Sequence, residues 1–183
     1  MKLKKPHFRT LMGWSKLLRP GVASRIRLIT LFFLTVFGAA GAVLLPGRVI
    51  SVADGDTLTF LSSDGARQSI RLYGVDCPEL RQTGGREAAE FTRSLVLFSK
   101  ITAQVMDKDQ YGRTVAIVTL DDGRVLNEEL LKNGHAWLYS AYCKTARCAV
   151  WQGLEARARL EKAGLWRGTK PVAPWQWRRR HPR

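Results

Sequence analysis

The alternation of apolar and polar residues predicts five strands in the middle of the chain. Three strands are expected at 48–53, 56–61 and 67–73, and because short turns join them they should form an antiparallel meander. Two more strands are expected at 100–106 and 113–120, where apolar residues again alternate with polar ones.

Three helices are predicted around these strands. The segment 86–99 has apolar residues at helical spacing, which indicates one packed face. Helices at about 125–132 and 149–163 follow the fifth strand, and Gly134 and Gly164 mark their ends. Five strands with helices after the third and the fifth are typical of an OB-type barrel. We therefore predict an α+β, mainly β fold, a five-stranded OB-type barrel with three helices, preceded by one apolar N-terminal helix.

The first 45 residues differ from this pattern. Residues 1–27 form a basic leader with eight Lys or Arg and no acid, and residues 28–45 carry no charge. This run is near the lower length limit for a membrane-spanning helix, while Ala40-Gly41-Ala42 has the form of a signal-peptidase site. It is therefore expected to be a transmembrane anchor or a cleaved signal; a buried core helix is disfavoured because a polar face is missing. Both main alternatives put the remaining chain outside the cytoplasm, either membrane-anchored and facing the periplasm or exterior, or secreted.

The chain is strongly basic, with a formal net charge of +15. Outside the leader, Lys and Arg still exceed Asp and Glu by seven. Such a surplus attracts polyanions, either nucleic acid or anionic lipid. The predicted barrel domain at 47–166 is followed by a basic Trp/Pro-rich tail at 167–183. Trp175 and Trp177 leave two alternatives for this tail, which are contact with nucleic acid or packing on the barrel.

The three cysteines agree with a location outside the cytoplasm. Cys143 and Cys148 are close enough in sequence to form a local disulfide in an oxidising compartment, and two free thiols are the alternative. Cys77 is left without a partner by this pairing. The three histidines are scattered along the chain, which argues against a His-based zinc site.

Two aspartates are candidates for a metal site. Asp56 opens the second predicted strand and Asp76 follows the third, so both can approach the same end of the barrel. Gly74 and Pro78 should make a stiff bend around Asp76. Carboxylates together with a main-chain carbonyl are hard oxygen ligands, which suit calcium or magnesium rather than zinc. The alternative is a surface turn with ordinary solvated charges.

Two arginines and a glutamate would complete a hydrolytic reaction on a phosphodiester. Arg71 and Arg113 can bind its oxygens bidentately and stabilise the negative charge that develops there. Glu79 can orient or deprotonate the attacking water, and Tyr111 can form a hydrogen bond with a phosphate. The alternative for the two arginines is a pair of solvated charges at strand ends.

Three motifs in this order resemble the thermonuclease, or staphylococcal-type nuclease, family. They are D-G-D-T at 54–57, R-x-x-x-x-D-x-P-E at 71–79 and Y-G-R at 111–113, and the resemblance extends from about 47 to 166. It implies an OB barrel and calcium-dependent hydrolysis of DNA and RNA to products that end in 3′-phosphate. The roles that it implies are metal ligation by Asp56, Asp76 and the main-chain carbonyl of Cys77, catalysis by Arg71, Glu79 and Arg113, and nucleotide contacts by Tyr111 and Tyr142.

The chain also departs from the family pattern. Family members often have Thr where Cys77 stands, but a main-chain carbonyl would be the ligand, so metal binding is expected to survive. The short, double-glycine loop at 79–88 leaves the substrate preference open. The sequence thus predicts a monomeric, calcium-dependent nuclease acting on DNA and/or RNA. The alternative is a catalytically inactive OB-fold module that binds nucleic acid and is tethered to the membrane; a membrane-tethered adaptor would use none of the three motifs.

Overall fold

A computed structural model describes residues 42–182 of the chain. The predicted basic leader at 1–27, the predicted apolar N-terminal helix and most of the segment 28–45 lie outside the described residues. Among residues 42–182, no helix has both the length and the apolar character needed to cross a membrane.

Five strands close into a barrel, and two short strands pair beside it. The strands of the described chain are β1 (Leu44–Val52), β2 (Thr57–Ser62), β3 (Arg67–Leu72), β4 (Val75–Asp76), β5 (Lys100–Lys108), β6 (Thr114–Leu120) and β7 (Trp137–Leu138). The barrel order is β1-β2-β3-β6-β5, and β5 pairs back onto β1. The β3–β6 pair is parallel and the other barrel pairs are antiparallel, so the sheet is mixed. The predicted five-stranded barrel is confirmed.

Four α-helices lie among residues 42–182, so the prediction of three helices is wrong. They are α1 (Gly85–Val96), α2 (Leu126–Lys132), α3 (Arg147–Leu160) and α4 (Pro174–Arg180), with a 3-10 turn at Gly164–Arg167. The helix that the sequence pattern missed is α4, in the predicted tail. Pro174 occupies its first turn, where the fixed φ of proline favours helix initiation.

The barrel core follows from the alternation along the strands. In β2, Leu58 and Phe60 are buried while Thr57 and Thr59 are only partly covered. Fully burying an apolar side chain of this size contributes about 1.5–3 kcal/mol. Outside the barrel, the fully buried Trp151 of α3 lies 6.4 Å from the ring of Tyr73.

Strand β1 begins inside the predicted apolar segment. Leu44 pairs with Gln104 and Leu45 pairs with Ala103 of β5. The segment predicted at 28–45 therefore overlaps the barrel at its last two residues, and the first strand is longer than the 48–53 that the alternation predicts.

A bend after β3 positions the candidate site. Gly74 has φ +67°, and a Cβ at that position would lie 2.9 Å from Cys143 Sγ, so glycine is required for both its backbone and its size. Strand β4 leaves this bend and pairs with β7, with Asp76 opposite Trp137. Cys143 is joined to Cys148 by a disulfide. Because Gly74 lies against Cys143, the bend packs against the segment that precedes α3.

Candidate active site

Two buried aspartates from distant segments meet at one end of the barrel. Asp56 precedes β2 and is 5% exposed, and Asp76 ends β4 and is fully buried. The main-chain N–H of Cys77 donates a 2.6 Å hydrogen bond to Asp56 Oδ2. The main-chain N–H of Asp56 in turn donates to Asp54 Oδ1 at 3.1 Å. These bonds fix the carboxylate of Asp56 against the bend that carries Asp76.

Arg71, near the end of β3, connects the two aspartates. Its Nη2 lies 2.7 Å from Asp76 Oδ1, and its Nη1 forms an ion pair with Asp56 Oδ1 that lacks hydrogen-bond alignment. Burial would lower the pKa of Arg71, but the carboxylates of Asp56 and Asp76 outweigh it and raise the pKa. The guanidinium therefore stays charged between the two acids.

The acids of this cluster are difficult to ionise together. Burial, and then the negative charge of Asp56, raise the pKa of Asp54 to about 6. Burial also raises the pKa of Asp76, although Arg178 and Arg71 oppose this shift. A cation bound beside these carboxylates would favour their ionised forms and offset the cost of burying them.

Glu79 joins the cluster through an arginine that the sequence analysis did not include. Nη1 of Arg178, on α4, lies 3.0 Å from Glu79 Oε1 and 3.2 Å from Asp76 Oδ1. Nη2 of the same side chain lies 2.8 Å from Asp76 Oδ2. Arg178 is 102 residues away from Asp76 in sequence. The only indication of this contact in the sequence is the run of three arginines at 178–180, and no neighbouring sequence motif links that run to the acids.

Aromatic packing holds α4 in place. The ring of Trp175 stacks on Tyr139 with centroids 5.1 Å apart and planes 5° from parallel, and it meets Trp137 edge-on at 5.8 Å. Gln82 Nε2 donates a 2.6 Å hydrogen bond to the carbonyl of Val172, just before the helix. Trp175 thus packs against the domain, which is the second of the two alternatives for the tail.

The donor set fits a hard divalent cation in part. Among residues 42–182, no three His, Cys, Asp or Glu side chains form a ready metal-binding group. Asp56 and Asp76 nevertheless direct carboxylate oxygens to one guanidinium, and calcium completes its shell of six to eight oxygens with main-chain carbonyls and water. Burial raises the pKa of the Cys77 thiol well above its usual value. The thiol is then protonated and a poor ligand, which leaves the carbonyl as the donor at that position.

Arg113 and Tyr111 lie in the turn before β6. Asp109 holds this turn, because its Oδ2 accepts a 2.7 Å hydrogen bond from Arg113 Nε and its Oδ1 accepts from the main-chain N–H of Tyr111 at 2.9 Å. The turn is connected to the acid cluster through the barrel, since Val115 of β6 pairs with Arg71 of β3. The structure therefore brings Arg71, Asp56, Asp76, Glu79 and Arg178 into direct contact, whereas Arg113 is held by Asp109.

The two tyrosines predicted to contact nucleotide are exposed. Tyr111 is 74% and Tyr142 is 64% exposed. The ring of Tyr142 lies 4.8 Å from the ring of Tyr139, which stacks on Trp175. Tyr142 is thus near α4, while Tyr111 lies under the guanidinium of Arg113, whose Cζ is 5.6 Å from the ring centroid.

Comparison with known proteins assigns this arrangement to a family. Residues 69–168 match the family model described as Staphylococcal nuclease homologue. The chain belongs to the staphylococcal nuclease family. The match covers Arg71, Asp76, Glu79 and Arg113 and ends before α4, so Arg178 lies beyond it.

Several curated proteins are similar to this staphylococcal nuclease homologue. A protein of Escherichia coli described as an uncharacterized endonuclease is 38% identical over 134 residues, covering 73% of this chain and 85% of that protein. An uncharacterized endonuclease of Haemophilus influenzae is 32% identical over 149 residues, covering 81% and 82%. A probable staphylococcal-like nuclease of Oryza sativa subsp. japonica is 39% identical over 110 residues, covering 60% and 32%. The predicted enzyme class, a hydrolase of the nuclease type, is confirmed.

Proposed function

We propose that the chain is a calcium-dependent nuclease that hydrolyses phosphodiester bonds of DNA and/or RNA outside the cytoplasm. The observation that carries this proposal is the convergence of Asp56, Asp76 and Glu79 around arginine side chains at one end of the barrel. Carboxylates that come together from separate segments are the hard oxygen donors that a divalent cation such as calcium prefers. An OB-type barrel with exposed tyrosines suits a nucleic-acid strand.

The residues that would hold the ion are Asp56, Asp76 and the carbonyl of Cys77. Calcium held there would offset the negative charge that develops on the phosphate oxygens. Asp54 helps to position Asp56, because its carboxylate accepts a hydrogen bond from the main-chain N–H of Asp56. Since Asp76 is fully buried, it offers the ion a fixed oxygen rather than a mobile one.

The chain's own side chains would carry out the remaining steps. Arg71 and Arg113 would bind the phosphate oxygens and stabilise the charge of the transition state. Glu79 would take a proton from the attacking water. Arg113 has its Nε on Asp109, so its terminal nitrogens are available to a phosphate.

Tyr111 and Tyr142 would contact nucleotides of the substrate. Both rings are exposed, and an exposed aromatic face stacks on any base without sequence preference. The surplus of Lys and Arg would attract the nucleic acid electrostatically. The apparent affinity for nucleic acid should therefore fall steeply as the salt concentration rises.

The location outside the cytoplasm is supported by the disulfide between Cys143 and Cys148.

The length of the N-terminal segment bears on whether it is a transmembrane anchor or a cleaved signal. Because the N–H of Val105 donates to the carbonyl of Val43 and Leu44 begins β1, barrel pairing starts directly after Ala42. The uncharged run that precedes β1, 28–43, is shorter than the roughly 17–25 residues that span a bilayer. This favours cleavage after Ala42, which N-terminal sequencing of the mature protein would test.

The test of the proposed activity uses the purified full-length protein with single-stranded DNA, duplex DNA and RNA. Cleavage is measured with calcium, with magnesium and with a calcium chelator. We expect calcium-dependent cleavage that Glu79→Gln lowers by about 100-fold or more. Glu90→Gln is the matched control, because Glu90 is a largely exposed glutamate of α1, and it should leave the rate unchanged.

Two results would reject the proposal. Cleavage that continues in the chelator, or that Glu79→Gln leaves intact, would exclude the mechanism. Tight binding of nucleic acid without cleavage in any metal would favour the alternative, a catalytically inactive binding module.

A further inference from the structure

The C-terminal helix α4 places a guanidinium on two of the proposed functional acids. Arg178 binds Asp76 through both terminal nitrogens, with Nη2 at 2.8 Å from Oδ2 and Nη1 at 3.2 Å from Oδ1. The same Nη1 lies 3.0 Å from Glu79 Oε1. A bidentate guanidinium–carboxylate pair is among the stronger side-chain hydrogen-bond arrangements.

These contacts fill most of the acceptor capacity of Asp76. A carboxylate offers about four lone-pair positions. Arg178 takes two of them, and Nη2 of Arg71 takes a third by binding Oδ1 at 2.7 Å. A calcium ion needs an oxygen at about 2.3–2.6 Å, which is closer than any guanidinium nitrogen approaches Asp76. The ion and Arg178 would therefore be two positive groups in competition for the same oxygens.

The two arginines that bind Asp76 differ in their exposure to solvent. The Arg71 side chain is 16% exposed, while the Arg178 side chain is 39% exposed. Arg178 is thus the more exposed of the two arginines on Asp76.

The helix can stay docked while the side chain moves. Trp175 stacks on Tyr139, and Ala173 and Pro174 are buried at the start of α4. These contacts do not involve the guanidinium of Arg178. Its partly exposed side chain can swing into water without loss of the aromatic packing.

We propose that Arg178 is an internal counter-ion of the site, which binds Asp76 and Glu79 and competes with the divalent cation for Asp76. The C-terminal helix then sets the cation concentration at which the site fills. This inference rests on the proposed function, because it takes calcium to be the ion bound by Asp76. It adds to the site a residue outside the span of the family match, which ends at residue 168.

The test is calcium binding rather than cleavage. Calcium chloride is titrated calorimetrically into the purified full-length protein, in detergent where the N-terminal segment is retained. We expect Arg178→Ala to bind calcium at least tenfold more tightly than the wild type. Arg179→Ala is the matched control, because Arg179 is an exposed residue of the same helix and its loss removes the same charge; its affinity should stay within about threefold of the wild type.

A second substitution at the same position guards against a folding defect. Arg178→Gln keeps a polar side chain but removes the charge, and it should bind calcium as tightly as Arg178→Ala. The melting temperature of each variant is recorded in the same buffer.

The outcomes separate this inference from the proposed function. Equal calcium affinity in the wild type, Arg178→Ala and Arg178→Gln would overturn the inference and leave calcium binding intact. Weaker binding in both Arg178 variants would also overturn it, because Arg178 would then be orienting the acids for the ion. No calcium binding by any variant would overturn the calcium assignment itself. Tighter binding in both Arg178 variants, with Arg179→Ala unchanged, is the result that supports the inference.

Discussion

The main-chain N–H of Cys77 donates a 2.6 Å hydrogen bond to Oδ2 of Asp56. This bond joins two acid-bearing segments that are 21 residues apart in sequence. It is possible because Gly55 lets the two segments approach closely. The carbonyl of Gly55 is also fixed, since it accepts a 2.6 Å hydrogen bond from Thr92 Oγ1 of α1. The position of Asp56 therefore depends on a residue with no side chain.

Gly55→Ala is expected to destabilise the protein. A Cβ at Gly55 would lie 2.7 Å from Cys77 Cβ and 2.9 Å from Ala88 Cβ, so one of these neighbours must move. Overpacking of this kind costs about 1–3 kcal/mol. Denaturant unfolding measures the loss, and cleavage should fall as well because Cys77 holds Asp56.

The control for that substitution is Gly153→Ala. Gly153 lies in the middle of α3 and has open space where a Cβ would stand. Replacing a helical glycine by alanine stabilises by about 0.5–1 kcal/mol. Equal losses of stability in the two variants would contradict the steric explanation.

Arg113→Ala is expected to lower cleavage by about 100- to 1000-fold, which is the usual cost of removing one donor to a transition-state oxyanion. Asp109 holds Arg113 in the turn before β6, so the guanidinium is positioned in advance. Calcium affinity should not fall, because Arg113 does not bind Asp56 or Asp76 among the contacts of the described chain. Steady-state cleavage and calorimetry measure the two effects separately.

A matched arginine lies in another hairpin. Arg124 donates from Nε to Oδ2 of Asp122 at 2.8 Å, which repeats the Arg113–Asp109 geometry in an exposed turn. Arg124→Ala should leave the cleavage rate within about threefold of the wild type. A comparable loss in both variants would show that only the general basic charge of the surface matters.

The barrel could be predicted because apolar and polar residues alternate within its strands. In β2, buried Leu58 and Phe60 alternate with threonines, and short turns fix the order of the first three strands. The start of β1 could not be predicted in the same way. Leu44 and Leu45 belong to the strand because they pair with β5, and a local apolar run does not distinguish this from the end of a membrane segment.

The inner part of the candidate site could also be predicted, since Arg71, Asp76 and Glu79 lie within nine residues of each other. Arg178 could not. It reaches Asp76 only because Trp175 stacks on Tyr139 and Pro174 is buried, and neither contact has a periodic pattern in the sequence. Tertiary packing, rather than local preference, thus supplies the second arginine on Asp76.

Loss of the disulfide is expected to destabilise the protein without removing its catalytic residues. For a loop as short as 143–148, the chain-entropy model gives about 2 kcal/mol. Cys143 also packs against Gly74, at the start of the bend that leads to Asp76. The double variant Cys143→Ser/Cys148→Ser should therefore unfold at lower denaturant concentration, and a reducing agent should have the same effect on the wild type.

The control for reduction is the double variant itself, which a reducing agent should leave unchanged because Cys77 is buried and has no disulfide. If reduction destabilises the double variant as much as the wild type, the effect does not come from the Cys143–Cys148 bond.

His135 is expected to make the protein less stable as the solution becomes acidic. Burial lowers the pKa of His135 below its usual 6.5, and Glu87 and Arg167 shift it in opposite directions. As pH falls below 6.5, the unfolded chain takes up this proton first, so the free energy of unfolding decreases until the folded protein is protonated as well. Asp54, with its pKa of about 6, acts in the opposite sense in the same range, because its folded form binds a proton more readily than the unfolded chain.

The quantity to measure is therefore the difference in unfolding free energy between the wild type and His135→Phe, which retains a ring against Phe91 but cannot be protonated. This difference should change between pH 7 and pH 5 in favour of the variant. A difference for His135→Phe that stays constant across this range would contradict the assignment of the proton uptake to His135.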